Sequence, residues 1–456
     1  MFVFKKLFLF RDSFFGILLI GGRMNKKRKK MIIKIILFLF IASLIIFGIR
    51  YINKEDDKIN EPSINNPSDV DKKDEGISKE PGNIVPDPFG TSYLNKIIYK
   101  EKLDKEVEKV IVEYMDVYYK SMKELKEYDM TYLFSDENSM DAYINQTALS
   151  LLIEIRKLKP TDLTLDKVKY DLEVTEVANG DTIKVKVLED NYLNFNFMKE
   201  IESKIYNIEN EFVLQKIGDE YKIVEYKKVQ DFFVMVTDKY KSGGKEELDK
   251  IKKDYLELTK NNVDSLEENY SDFLNNKGHT LKNCDNNYDR KKAYQYAINW
   301  VNKRNSEWSS FGSNCQNYAS QMLFAGGIPN DHIGSASDNL QWKFYDSNFN
   351  ANETETGYVY TWTYVPFFRE YVMNNTGSGL CANVDVNLYY AEAGDLITVG
   401  SVSKTRHVVA VIGDYKIDNK TVDILVNSNS VDLENYPMSA YVYPYTSLIK
   451  IYGWNN

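Results

Sequence analysis

The chain has 456 residues, of which 43% are hydrophobic, and its formal net charge is -9. This length predicts two or three domains, and the apolar content is sufficient for well-packed cores. An acidic chain offers no basic face to a phosphate backbone, so we expect no nucleic-acid partner. The three cysteines and three histidines form neither Cys-x-x-Cys nor His-x-x-x-His, which excludes zinc and iron sites of ordinary spacing. Because no glycine-rich phosphate loop occurs either, we expect no metal and no cofactor.

Residues 1–52 have the pattern of a membrane anchor. The apolar stretch from Met31 to Ile49 is long enough to cross a bilayer, and the basic run Lys26–Lys30 precedes it. By the positive-inside rule this run stays in the cytoplasm, so we expect a single-pass protein of the cell membrane with most of the chain outside. No small-x-small cleavage site follows, which favours an uncleaved anchor over a removed signal peptide. Translation starts at Met1 or at Met24, and the conventional basic-then-apolar leader that begins at Met24 favours the second.

Two segments are predicted to connect folded parts. Residues 53–90 are charged, rich in Pro, Asn and Ser and nearly free of aromatic side chains, which is typical of a disordered tether. Residues 242–284 contain a highly charged helical stretch from Glu246 to Leu274. A charged helix face is usually solvated, and we favour this interpretation over a docking role.

The sequence pattern of residues 91–241 predicts one compact α+β module of unknown role. Helical patterns run from Asn95 to Tyr128 and from Met140 to Leu158. Strand-like alternation follows, with turns at Asn179–Asp181 and at Gly218–Asp219. We therefore expect two helices followed by a curved antiparallel sheet, with no catalytic constellation.

The last part of the chain, residues 285–456, carries the candidate nucleophile. Cys315 stands where a short loop leads into a helical pattern that ends at Gly326–Gly327. Unpaired backbone N–H groups and the helix dipole favour a thiolate at such a position. Downstream, His407 lies in an apolar strand pattern and is the candidate base. The pattern indicates a cysteine hydrolase, with the Cys315 N–H as oxyanion donor and Asn314 or Gln316 in support.

Asn429 and Asn427 are the candidates for a third site residue. The strand of His407 and the strand after it are joined by Lys416–Lys420, which predicts a hairpin. With the turn centred near Asp418, His407 lies opposite Asn429, and Asn427 shares the face of Asn429. Either amide could orient the imidazole, as in Cys-His-Asn sites, and we favour Asn429. The alternative is that both are edge or turn asparagines.

Four segments of this last part resemble a known family when taken together. They are a Tyr-Asp-Arg helix start at Tyr288, a Cys-Gln-Asn-Tyr-Ala-Ser-Gln helix that ends in Ala-Gly-Gly-Ile-Pro, an Ala-Gly-Asp-Leu segment at Ala393, and Arg-His-Val at Arg406. The combination resembles the amidase domain family of Gram-positive bacterial envelopes. The resemblance extends from Tyr288 to about Ser439, and no part of the chain before this range shares it.

The resemblance implies a papain-like fold, in which a cysteine-bearing helix packs on an antiparallel sheet. Cys315 takes the nucleophile position and His407 the base. The family often has a histidine in the third position, and Asn429 stands there in this chain. Asn314 replaces an aspartate that the family often carries before the cysteine.

The expected fold class is therefore α+β, with an N-terminal membrane helix, a middle α+β module and a C-terminal papain-like α+β domain. The expected function is an outward-facing cysteine amidase that forms a thioester, with peptidoglycan or another peptide amide as substrate. The alternative is a non-catalytic envelope protein that uses an amidase-like domain for binding. Cys284 and Cys381 are expected to be buried small side chains, or a mutual disulfide outside the cytoplasm.

Overall fold

The computed structural model describes residues 92–277, 281–344, 358–401 and 404–456. The elements of the N-terminal half are β1 (Leu94–Tyr99), α1 (Lys105–Glu124), α2 (Met140–Leu158), β2 (Leu165–Asn179), β3 (Ile183–Phe195), β4 (Ser203–Ile217), β5 (Glu220–Lys228), α3 (Asp231–Asp264) and α4 (Leu266–Leu274). Those of the C-terminal half are β6 (Asn286–Asn287), α5 (Arg290–Asn299), α6 (Cys315–Ala325), α7 (Tyr360–Thr363), α8 (Val365–Asn374), β7 (Gly379–Val386), β8 (Leu396–Ser401), β9 (Lys404–Ile417), β10 (Lys420–Ser428), β11 (Asp432–Pro437) and β12 (Tyr445–Asn455).

Local signals explain most elements of the N-terminal half. Helix α2 has the predicted bounds, and the side chain of Ser139 caps it by accepting from the N–H of Ala142 at 3.2 Å. Both predicted hairpins are present, β2 with β3 and β4 with β5. Gly218 has φ of 64° in the second turn, a conformation that costs glycine little.

The first predicted helix begins later than expected. Residues Leu94–Tyr99 form strand β1, parallel to β2, and the helix starts only after Asp104, whose side chain accepts from the N–H of Glu106 at 2.8 Å. The prediction of a helix from Asn95 was wrong because the open edge of β2 gives this segment backbone partners. No local pattern in the sequence reports such a partner.

Helix α3 is part of the core. It bends at Gly243 and Gly244, where the backbone leaves helical geometry. Beyond the bend, Leu248 and Tyr255 are fully buried in the same apolar cluster as α1 and α2. The charged stretch from Glu246 is therefore a packed helix with one solvated face, rather than only a connector.

The described residues share one mixed sheet of 12 strands. The strand order is β1-β2-β3-β4-β11-β10-β9-β8-β12-β6, with β5 paired to β4 and β7 paired to β12. The two halves meet where β11 pairs antiparallel with β4, for example Leu433 with Ile205. The expected fold class, with separate middle and C-terminal domains, is corrected by this single sheet. Without β4, the backbone N–H and C=O groups of β11 would form an open sheet edge. Pairing with β4 gives these groups hydrogen-bond partners.

The membrane helix of the expected fold class has no support in the structure. Within the described ranges, no helix has both the length and the apolar composition that crossing a bilayer requires. The predicted anchor, Met31–Ile49, and the predicted tether, residues 53–90, lie outside the described residues.

Apolar clusters cover the two faces of the sheet around β9. Val409 and Val411 belong to the cluster that contains α1, α2 and α3. Val408 and Ala410 belong to the cluster that contains Cys315 and the other C-terminal helices. Alternating residues of β9 thus face different layers of helices.

A disulfide joins Cys284 to Cys381 in β7, across 97 residues of sequence. This is the second of the two expected states for these cysteines. Since the chain has three cysteines, Cys315 carries its one remaining thiol.

Candidate active site

Cys315 is the first residue of α6, as the sequence predicts. The side chain is buried, with 6% of the residue exposed. The helix ends at Gly326, and Gly327 has φ of 95°, a left-handed conformation that lets the chain turn away. The thiol therefore lies at the start of a helix of 11 residues, where the first backbone N–H groups have no partner within the helix itself.

Ser430 lies against this helix start. Its hydroxyl oxygen accepts from the backbone N–H of Asn314 at 2.8 Å and from that of Cys315 at 3.0 Å. Two backbone N–H groups that converge on one oxygen are the arrangement that stabilises an oxyanion in acyl transfer. The sequence analysis did not select Ser430, because a serine in a turn after a strand is common and carries no specific signal.

Asn429 is tied to the loop before Cys315. Its Oδ1 accepts from Nδ2 of Asn314 at 2.6 Å. Its own Nδ2 donates to three main-chain oxygens after α5, at 2.7 Å to Trp300, 3.2 Å to Val301 and 3.1 Å to Lys303. The carbonyl that we expected to orient His407 thus accepts from Asn314 in the structure.

Asn314 also orders its own loop. Its Oδ1 accepts from the N–H of Phe311 at 3.2 Å and from Nδ2 of Asn317 at 2.9 Å. Oδ1 of Asn317 in turn accepts from Nε1 of Trp362 at 3.0 Å. The side chain that replaces the family's aspartate therefore links the loop to both the helix and the turn after β10.

Gln316, the other expected supporting residue, is fully buried. Its Nε2 lies 3.2 Å from Oγ of Ser320, one turn further along α6. Among the described residues, its Oε1 has no hydrogen-bond partner. The amide is thus directed along the helix, and the geometry favours backbone N–H groups as the oxyanion donors.

His407 lies on the strand face that Val409 and Val411 share. The residue is 5% exposed, and its Nε2 is hydrogen-bonded to Oγ of Ser428 at 2.9 Å. It lines a cavity together with Tyr118 of α1 and with Phe233 of α3. By alternation, the helix of Cys315 packs on the opposite face of β9, next to Val408 and Ala410.

The register of the β9–β10 hairpin explains this placement. Ile417 pairs with Lys420 across a two-residue turn, in which Asp418 and Asn419 have φ of 51° and 63°. The turn is therefore centred between these two residues, about half a residue beyond the predicted centre. Further along the hairpin, Asn427 pairs with Ala410.

Three residues beyond the Asn427–Ala410 pair, Ser430 rather than Asn429 lies opposite His407 in this register. A slip of one residue moves side chains to the other face of a sheet. Asn427 and Asn429 consequently face the helices around Cys315, and Ser428 faces His407. Nδ2 of Asn427 donates to the main-chain oxygen of Ala297 in α5 at 3.3 Å.

The turn after β10 holds a buried carboxyl group. Burial raises the pKa of Asp432 to about 6, although the guanidinium of Arg304 lies 3.1 Å away and works in the opposite direction. This ion pair joins the loop after α5 to the start of β11. In the parts of the chain that the structure describes, no three His, Cys, Asp or Glu side chains converge as they would around a metal ion.

Comparisons with known proteins agree with the resemblance found in the sequence. Residues 287–454 match the family model described as Putative amidase domain, so the C-terminal part has an amidase-type domain. Over 95 residues the chain is 35% identical to the protein named Uncharacterized protein YhbB of Bacillus subtilis (strain 168). That match covers 21% of this chain and 27% of the relative, so the chain spans about a quarter of the relative's length. No solved structure matches the chain.

Proposed function

We propose that the C-terminal domain is a cysteine amidase in which Cys315 is the nucleophile. The observation that carries the proposal is the position of the chain's one remaining thiol, at a helix start where two N–H groups converge on Ser430. A substrate carbonyl that displaces the Ser430 hydroxyl would meet both donors.

The chemistry follows from these positions. A base takes the proton from the Cys315 thiol, and the thiolate attacks the amide carbon to form a tetrahedral oxyanion at the two N–H groups. The carbon–nitrogen bond then breaks, and the departing amine takes up the proton. Water attacks the resulting thioester, which releases the carboxylic acid and restores the thiol. His407 is proposed as the base because it is the histidine of the family motif, and Asn429 is proposed for the third position. Both roles require the His407 ring to move from the sheet face of Val409 to the face of Cys315, and the Asn429 carbonyl to leave Asn314.

We propose peptide amide bonds outside the cytoplasm as the substrate, with peptidoglycan as the specific case. The disulfide between Cys284 and Cys381 supports an extracytoplasmic location, because such bonds persist in oxidising compartments. The amidase family match supports an amide as the bond that is cut.

The test is digestion of muropeptides by the full-length protein, followed by mass spectrometry of the fragments. The wild type should release fragments with new carboxyl and amino ends, and Cys315→Ala should release none. Met373→Ala, which shortens an exposed side chain of α8, is the control and should release the same fragments as the wild type. Hydrolysis that persists in Cys315→Ala would contradict the proposal.

Two observations favour the alternative of a non-catalytic binding protein. The ring of His407 lies on the strand face of Val409, and the Asn429 carbonyl accepts from Asn314. The two functions differ in how Cys315 reacts with iodoacetamide as a function of pH. A catalytic thiol paired with His407 should react well below about pH 8, and His407→Ala should move this profile toward that of an ordinary thiol. The same profile in both proteins would favour the binding protein. His332→Ala, which removes an exposed histidine in the loop after α6, is the control.

A further inference from the structure

A cavity lies on the other side of the sheet from Cys315. Its volume is about 100 Å³, and it opens to solvent. Helices α1 and α2 and strands β3 and β4 form its walls, and the C-terminal half contributes Val431 and Tyr436. Much of the lining is apolar, including Met122, Leu152 and Leu193.

Arg156 of α2 lines this cavity and carries a buried charge. The residue is 4% exposed, and its guanidinium donates to the hydroxyl of Tyr436 at 2.8 Å. It also lies 5.6 Å from the centre of the Phe195 ring. Among the described residues no carboxylate lies within ion-pair distance of it, and its Nε has no hydrogen-bond partner. A buried cation without a counter-charge is costly, which indicates that an anion completes the site.

The nearby carboxylate of Glu189 cannot supply that charge. It lies 3.2 Å from Nζ of Lys228 and accepts from Nδ2 of Asn210 at 2.9 Å and from the hydroxyl of Tyr119. Burial is the largest single influence and works to lower the pKa of Lys228, but the charge of Glu189, the charge of Tyr118 and the hydrogen bond to Glu189 together raise the pKa. Lys228 and Glu189 therefore neutralise each other. Among the described side chains that line the cavity, none is Asp or Glu.

Asn191 of β3 adds a second unsatisfied group to the cavity. The residue is 2% exposed, and its Nδ2 donates to the hydroxyl of Tyr119 at 2.9 Å. Its Oδ1 has no partner among the described residues. Buried acceptors are almost always paired in native proteins, so this oxygen is available to a donor that a ligand brings.

We infer that the cavity binds a small organic anion with an apolar body and an N–H or O–H group. The acidic group pairs with the guanidinium of Arg156, and the donor reaches Oδ1 of Asn191. The apolar walls bury the rest of the molecule, which is the usual composition of a small-molecule site. Neither Arg156 nor Asn191 belongs to the proposed amidase site, although His407, the proposed base, also lines the cavity. Binding of an anion is measured without hydrolysis, so its failure is distinct from failure of the amidase proposal.

The test compares two fluorescent probes that share one aromatic body. 8-Anilinonaphthalene-1-sulfonate has a sulfonate and an N–H, whereas N-phenyl-1-naphthylamine lacks the sulfonate. Titrated into the full-length protein, the sulfonate probe should bind one equivalent at least about tenfold more tightly, a ratio that corresponds to one charge-assisted contact. Arg156→Met should abolish this preference. Arg406→Met, which removes an exposed arginine outside the cavity, should preserve it.

An equal preference in wild type and Arg156→Met would overturn the inference, as would many weak sites of equal affinity. Folding of Arg156→Met is checked by its thermal unfolding, which should occur at or above the wild-type temperature because an uncompensated buried charge is gone. Leu152→Trp provides an independent variant that keeps Arg156 and fills the cavity with an indole ring. It should lose binding of both probes, and undiminished binding there would also refute the site.

Discussion

Asn314 and Asn429 are joined by a side-chain hydrogen bond of 2.6 Å, from Nδ2 of the first to Oδ1 of the second. Because Nδ2 of Asn429 also donates to three main-chain oxygens after α5, this one amide holds two loops together beside Cys315. The geometry makes Asn429 a positioning residue for the start of α6.

Replacement of Asn429 by alanine should therefore loosen the loop before Cys315. We expect a loss of about 2–4 kcal/mol in the free energy of unfolding, since several buried partners lose their hydrogen bonds together. Alkylation of Cys315 should become faster, because its helix start is less well covered. Asn427→Ala is the control, and should destabilise the protein without changing the alkylation rate. Equal rates in wild type and Asn429→Ala would argue against the positioning role.

Ser430→Ala should increase the catalytic efficiency of the proposed amidase. The Ser430 hydroxyl occupies the two N–H groups that an oxyanion needs, so it must leave when substrate binds. Loss of this competing hydrogen bond, worth about 1 kcal/mol, should raise kcat/KM up to about tenfold. The measurement is initial rates on muropeptides, with Ser271→Ala, which changes an exposed serine of α4, as the matched variant. A fall in kcat/KM would show instead that the hydroxyl takes part in the reaction.

The chain from residue 281 onward, which keeps the Cys284–Cys381 disulfide, should be unstable when separated from the N-terminal half. Strand β11 loses β4 in that fragment, which exposes an open edge together with Leu433. We expect concentration-dependent association in size-exclusion chromatography and a lower urea midpoint than in the full chain. Leu433→Lys in the same fragment should reduce the association. A monomeric fragment with the stability of the full chain would show that the halves are independent.

Loss of the Cys284–Cys381 disulfide should lower the free energy of unfolding by about 4 kcal/mol, because it closes a loop of 97 residues in the unfolded chain. The double serine variant and the reduced wild type should agree in urea titrations. Cys315→Ser serves as the control and should lie much closer to the oxidised wild type. Equal stability with and without the disulfide would mean that breaking it gives the unfolded chain little additional conformational entropy.

Asp423 should make stability depend on pH. Burial raises its pKa to about 6 from the ordinary value of 3.8, against hydrogen bonds from Ser439 and the N–H of Ile424. The folded state therefore binds the proton more tightly than the unfolded chain. This stabilisation is complete below about pH 4 and is lost as pH rises through about 6, a change of about 3 kcal/mol.

The variant Asp423→Asn has an amide that does not titrate, so the difference between the two proteins isolates the effect of this carboxyl group. Urea unfolding between about pH 4 and about pH 7 should show the wild type losing stability relative to the variant over that range. A difference that is constant with pH would contradict the raised pKa.

The local elements of the site were predictable from sequence. The glycine pair at Gly326 and the helical spacing before it located α6, and Cys315 is its first residue as expected. The turn residues Asp418 and Asn419 located the β9–β10 hairpin. These features depend on neighbours a few positions apart, and such interactions are visible in the order of the residues.

The face on which each side chain lies was decided by tertiary structure. Whether the hairpin turns about Asp418 or about the Asp418–Asn419 bond changes the register by one residue, and that step puts Asn429 beside Asn314 and Ser428 beside His407. The pairing of β11 with β4 likewise joins strands that are far apart in the sequence, such as Leu433 with Ile205. Local propensity determined which elements form, but their partners and faces follow from the burial of side chains and the pairing of backbone groups across the whole sheet, which only the folded chain brings together.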